Sequence, residues 1–259
     1  MTNSGTSTEH RPCAAGSRRI RQAPLMALAL IGALVGCTKG DIIGGNSRQM
    51  AVTEPTDGFL PQPELLAHNE GTLWDQTWTK PGVNLSGIQS VMIAPVTIVI
   101  SPTSKLATLP PDQQDRLANT LYADLFTAVS KNCKMVTRPG AGTVVFHFAL
   151  SDATSSNGAL KTVATYVPYV NVAYKVGSLA FNDGVGYFSG TAAAEGYATN
   201  GASGELVWQG VDKRGGNAPV LQNTTDKWLD VHNTFKAWSA QFVQKLKETG
   251  ICPQAVAAK

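Results

Sequence analysis

Apolar and polar positions along the chain follow two periods, and each change of period marks an element. "VMIAPVTIVI" (Val91 to Ile100) is a continuous β-branched run, the pattern of a strand covered on both faces. Pro95 has no N–H to give a ladder, so it marks a bulge or a sheet edge. After Pro110 and Pro111, "DQQDRLANTLYADLFTAVSKN" sets Leu117, Leu121, Leu125 and Ala128 at helical spacing, with Tyr122, Phe126 and Val129 beside them. "TVVFHFALSD" (Thr143 to Asp152) alternates as a strand, with Val144, Phe146, Phe148 and Leu150 on one face and Val145, His147 and Ala149 on the other. "GYFSGTAAAEGYAT" and "ELVWQGVDKR" flank "NGASG" (Asn200 to Gly204) and predict a β-hairpin whose turn uses the glycines. "TDKWLDVHNTFKAWSAQFVQKLKETG" predicts a helix capped by Thr225 or Asp226 and stopped at Gly250, with Trp228, Val231, Phe235, Trp238, Phe242 and Leu246 as its buried stripe. Lys245 and Lys247 suit the negative end of its dipole. The order strand, helix, strands, helix predicts an α+β fold: a mostly antiparallel β-sheet with two main helices packed on one face.

Three stretches are less regular. Asp57 to Gly87 is rich in turn residues and carries Phe59, Leu60, Trp74 and Trp78, which predicts a segment that wraps the domain and pins aromatics into it. Leu160 to Phe181 has two charges, Lys161 and Lys175, and fits neither period; Pro168 and Gly177 interrupt it. It reads either as core-filling structure or as an exposed apolar element on which Tyr166, Tyr169 and Tyr174 would dock an envelope protein partner. Thr38 to Thr56 lacks periodicity and reads as a flexible tether, with a root-mean-square reach of about 25 Å for about 19 residues.

The apolar run from Ala23 to Gly36 falls well short of the roughly 20 residues a membrane span needs. With Arg18, Arg19 and Arg21 upstream, it reads as the core of a signal peptide. It ends Leu34-Val35-Gly36-Cys37, which resembles the bacterial lipobox. The Cys37 thiol would accept a diacylglyceryl group, and small Gly36 admits the signal peptidase, leaving Cys37 as an acylated N-terminus. One acyl chain holds reversibly, whereas two or three give stable attachment. Ser17-Arg18-Arg19 matches part of a twin-arginine signal, with Arg21 where an apolar residue is usual. By resemblance to the sorting rule of enteric bacteria, Thr38 after the cysteine, rather than aspartate, favours an outer-membrane position facing the periplasm. The expected organisation is a signal peptide over 1–36, anchor and tether over 37–56, and a single α+β domain over 57–259.

Cleavage changes the charge balance: four arginines and one glutamate leave from 21 basic and 18 acidic residues, so 17 of each remain. Without a basic surplus there is no argument for nucleic acid. Cys13 departs with the signal and Cys37 is acylated, which leaves Cys133 and Cys252, each just past a predicted helix. In an oxidising compartment these two read as a disulfide closing a loop of about 120 residues, or else as two separate buried thiols. With no CxxC or HxxxH spacing, no metal site is expected.

"GFL" at Gly58, "PGVNLSGIQSVMIAPV" before and through the first strand, "SGELVWQGVDKRGG" in the hairpin and "KWLDVHNTFKAWSAQFVQKL" in the last helix together resemble the domain of unknown function 3313 family of bacterial lipoproteins, from about Gly58 to Leu246. The resemblance implies a secreted, lipid-anchored domain and carries over no catalytic residue. The residues themselves agree. His68, His147 and His232 lie on three different elements, and Gly184 to Gly190 fails the G-x-G-x-x-G spacing. Ser86, Ser101 and Ser104 lack a G-x-S-x-G context. Glu195, Asp212, Lys213 and Arg214 on the hairpin read as a cross-strand ion pair or as a binding patch. The expectation is a non-catalytic binding or assembly module without cofactor; the alternative is a ligand binder or enzyme whose site, around His147, His232 or Asp230, forms only in the fold.

Overall fold

The alternation in Thr143–Thr154 places Val144, Phe146, Phe148 and Leu150 in the main core and turns His147 to the opposite face of the sheet. This long strand is the centre from which the fold is built. The structure is a computed structural model that describes residues 47–52, 54–68, 73–101, 103–156, 189–216 and 226–252. Leu34, Val35, Gly36 and Cys37 lie outside the described residues, as do Tyr166, Tyr169 and Tyr174.

Among the described residues the strands, in chain order, are β1 (Ser47–Met50), β2 (Ala67–His68), β3 (Gln76–Thr79), β4 (Ser90–Ile93), β5 (Thr97–Ile98), β6 (Thr143–Thr154), β7 (Thr191–Asn200) and β8 (Leu206–Gly216). The α-helices among the described residues are α1 (Pro111–Ser130) and α2 (Leu229–Glu248). The described strands form one sheet of order β2-β3-β8-β7-β6-β4; β1 also pairs with β8, and β5 with β6. Every pairing is antiparallel except those of β4 and β5 with β6, whose parallel direction requires the crossover that α1 supplies. An α+β fold with a mostly antiparallel sheet is therefore the observed class.

The β-branched run expected as one strand is split. β4 ends at Ile93 and β5 begins at Thr97, with Pro95 in the gap, as its missing N–H requires. The last helix starts at Leu229, later than the expected cap. Trp228 holds the cap position without a side-chain bond, and the Asp226 carboxylate accepts Trp228 N–H at 2.9 Å in the turn before it. Its end is where it was expected: Gly250 takes φ +75°, which a Cβ would strain, and donates to Lys247 O.

The expected tether is shorter than the sequence suggests. Ser47–Met50 pairs with Gly216 to Lys213 as β1. Four residues are too few to display a period, and this strand is recruited by the free edge of β8 and by Gln49, whose amide reaches Asp212. Beyond it, residues 54–65 cross the sheet face away from the helices, as the wrapping reading expects. Thr56 N–H donates to Glu195, Phe59 packs on Tyr197 with ring centroids 5.3 Å apart, and Leu60 is buried. Gln62 and Gln209 exchange two hydrogen bonds, from Gln62 N–H to Gln209 Oε1 and from Gln209 Nε2 to Gln62 O.

Candidate functional site

Where β7 passes between Phe148 and Trp208 it carries glycine. A Cβ on Gly196 would lie 2.8 Å from the Phe148 ring and 3.3 Å from Trp208. The missing side chain lets the two aromatics close over the strand. Trp74 then meets Trp208 edge-on at 5.3 Å, and Phe242 of α2 meets Phe146 and Phe148 edge-on at 4.7 and 5.3 Å. These T-shaped contacts are the favoured geometry for aromatic quadrupoles and hold the rings in place.

The rings do not fill the space between sheet and helix. A cavity of about 460 Å³ remains, walled by Trp74, Phe146, Trp208 and Phe242, with Leu246 and Ile251 at the end of α2. Its polar lining comes from Thr77 and Thr79 on β3 and from Gln244, Lys245, Glu248 and Thr249 on the last turns of α2. Lys245 and Glu248 pair at 3.3 Å, and Gln244 Nε2 donates to Glu248 at 3.0 Å. Gln244 Oε1 is buried with no hydrogen-bond partner, so one acceptor faces this region unused. The volume lies in the lower part of the roughly 300–1,000 Å³ typical of small-ligand sites, and apolar walls with a few polar groups are their usual character.

The charged residues of the hairpin divide between the two faces of the sheet, and the cross-strand pairing expected of them does not form. Asp212 and Arg214 stand two residues apart on β8 and pair with each other beneath α2, Nε to Oδ2 at 2.6 Å. Glu195 and Lys213 face the other way. Glu195 stands opposite Ala149 and Val211, neither of which carries charge. Lys213 lies 3.8 Å from Asp152 of β6.

Glu195 is 2 % exposed and keeps one carboxylate oxygen, Oε2, without a partner. Burial pushes its carboxyl above the ordinary glutamate range, while hydrogen bonds from Thr56 pull the other way. A raised value in the fold means that the native state binds this proton more readily than the unfolded chain. The stability it contributes is complete at low pH and is lost as pH rises from about 4.3 through the raised value. Glu195→Gln cannot ionise, so its stability relative to the native chain is expected to improve steadily with pH over that window. Urea unfolding of both proteins across the range checks this; two parallel pH profiles would rule it out.

The three histidines do not converge. His68 on β2 pairs with Asp75 at 3.0 Å, His147 stacks on Tyr197 at 4.5 Å on the face away from the helices, and His232 on α2 lies 3.9 Å from Asp226. Burial holds the His147 imidazole below its ordinary value. Asp230, on the first turn of α2, accepts Gly190 N–H at 2.9 Å and anchors the start of β7. Among the described residues no group of three or more His, Cys, Asp or Glu could hold a metal ion. Cys133 and Cys252 are joined in a disulfide, with Cα atoms 4.8 Å apart.

Fold and cavity together define a class: a sheet-and-helix domain with an aromatic-walled pocket. The chain belongs to the family described as "Protein of unknown function (DUF3313)", which matches residues 55–242. Two crystal structures of the PelC dodecamer from Paraburkholderia phytofirmans, one of them a point variant, are similar to it in part. The variant is 12% identical, covering 65% of this chain and 95% of its own, with a TM-score of 0.34. The other is 9% identical, covering 64% of this chain and 95% of its own, also at 0.34. No curated protein matches the chain.

The cavity was not visible in the sequence. Trp74, Phe146, Trp208 and Phe242 each read as core residues, and a gap between partners far apart along the chain has no periodic signature.

Proposed function

We propose that this protein is a non-catalytic binding module of the bacterial envelope, held to the outer membrane on its periplasmic side by an acylated Cys37, and that it binds an apolar ligand in the aromatic cavity. The cavity carries the reading. Its walls offer a ligand dispersion contact and removal from water, at roughly 25 cal/mol per Å² of apolar surface, and its few polar groups can orient a ligand. Lys245 is paired with Glu248 and Thr249 Oγ1 with the carbonyls of Lys245 and Leu246, while Gln244 Oε1 is left as a free acceptor for a ligand. The lipobox at Leu34 to Cys37 supports the anchor, and the Cys133–Cys252 disulfide supports an oxidising compartment. With β1 starting at Ser47, the stretch after Cys37 spans at most about 35 Å, so the module would work close to the membrane surface.

The test is binding of the neutral dye N-phenyl-1-naphthylamine to the full chain carrying Cys37→Ser, which removes the acyl anchor. Dye fluorescence is expected to rise on binding at micromolar concentration. Thr79→Trp, at an exposed position on the cavity lining, is expected to weaken binding about tenfold or more without loss of fold. Dye binding that is absent, or untouched by Thr79→Trp, would remove the cavity reading.

A further inference from the structure

A second, smaller cavity adjoins the first. It has a volume of about 150 Å³ and shares Leu85, Val144 and Val207 with the aromatic cavity as lining residues. Its character is different. Lys80 and Glu205 line it and are paired with each other, at side-chain exposures of 35% and 54%. Asn84 and Asn200 line it too, and each commits its side-chain oxygen to backbone: Asn84 accepts from Ser86 N–H at 2.9 Å, and Asn200 from Ala202 and Ser203 N–H at 2.9 and 3.2 Å. What each asparagine can offer a ligand is therefore its NH₂ group, a donor.

From these adjoining cavities we infer that the ligand is a single-chain zwitterionic phospholipid, with its acyl chain in the aromatic cavity and its phosphoethanolamine head against Lys80, Glu205, Asn84 and Asn200. This rests on the binding role proposed for the aromatic cavity. Volume sets the number of chains. A dry cavity of about 150 Å³ takes one benzene, so 460 Å³ takes about three such groups, or one chain of at most about eighteen carbons. Two chains do not fit.

Charge sets the head group. A phosphate can accept from Lys80 and the two amides, but it then lies beside Glu205, which would lose its cation. A head that carries its own ammonium restores that partner, since Glu205 accepts from it while the phosphate takes Lys80. A purely anionic head leaves a carboxylate facing a phosphate, a like-charge contact that disfavours it. The head lies at a surface-accessible ion pair, so it exchanges one salt bridge for two without burying a lone charge.

The experiment is displacement of N-phenyl-1-naphthylamine from the full chain carrying Cys37→Ser by palmitoyl lysophosphatidylethanolamine and by palmitoyl lysophosphatidylglycerol, each below its micellar concentration. The zwitterionic lipid is expected to displace the dye at about tenfold lower concentration. Glu205→Gln, at an exposed side chain, is expected to abolish or reverse that preference, and Lys80→Gln to weaken both lipids. Equal displacement by the two lipids, or a preference that neither variant alters, overturns the head-group assignment. Dye binding that neither lipid displaces overturns the phospholipid assignment and leaves the apolar-ligand reading standing. If the dye itself does not bind, both fall together.

Discussion

Reduction of the Cys133–Cys252 disulfide is expected to lower the midpoint of thermal unfolding by on the order of 10 °C. The bridge links the residues that follow the two helices. Cys133 N–H donates to Val129 O at 2.8 Å beyond α1, and Cys252 N–H donates to Leu246 O at 3.2 Å beyond α2. Both cysteines are buried in the core cluster. They are 119 residues apart, so the closed loop holds the three long strands β6, β7 and β8, and chain entropy puts the stabilisation at about 5 kcal/mol, an upper figure. For a domain of this size each kcal/mol moves the midpoint by about 2–4 °C. The effect should also reach the cavity, because Ile251 next to the bridge forms part of its wall, along with Leu246 and Thr249. Melting curves with and without reductant, beside a Cys133→Ala and Cys252→Ala double variant, measure it. The double variant should melt near the reduced protein and ignore reductant; a reduced protein melting within about two degrees of the oxidised one would refute the assigned role.

How much of this was legible in the sequence depended on whether one segment could show the feature by itself. β6 and α2 could, because each is long enough for its period to repeat and its buried face is continuous. Pro95 could, because a missing N–H acts wherever the chain runs. The two cysteines could, because the cleavage and acylation expected from the lipobox would leave no other pair. β1 could not: its four residues are held by the edge of β8 and by side-chain bonds to residues far along the chain, Gln49 to Asp212 and Ser47 to Thr234. The hairpin charges were misassigned for a related reason. Spacing along β8 puts Asp212 and Arg214 on one face and Lys213 on the other, but only the register with β7 shows that Glu195 has no charge opposite it. The cavity is the extreme case, since its walls are rings from four separate segments.

Arg214→Met is expected to destabilise the fold by about 3–5 kcal/mol, the usual result of stripping a buried ion of its partner. Asp212 is fully buried. Its carboxylate accepts from Arg214 Nε and Trp238 Nε1 at 2.6 Å each, from Gln49 Nε2 at 2.7 Å and from Asp75 N–H at 3.2 Å. Arg214 also donates to Leu73 O at 2.7 Å, so the same cluster fixes the chain leading into Trp74 and the cavity wall. Burial pushes the Asp212 carboxyl up, and the Arg214 guanidinium is the largest influence against it. Without that cation the carboxyl rises further above the ordinary aspartate value, and the native state takes up its proton. The variant's stability should therefore be greatest at low pH and fall as pH rises through the raised value, a dependence that Asp212→Asn in the same chain removes. Charge and shape can be separated with a further pair. Asp212→Leu with Arg214→Met leaves no buried ion, and because apolar replacement of a whole buried pair is often neutral, this double variant should be more stable than Arg214→Met alone. If the double variant loses as much as the two single losses added together, the two side chains act independently. Asp212 would then be a set of neutral hydrogen bonds to β1, β3 and α2, and not the buried charge around which those elements are clamped.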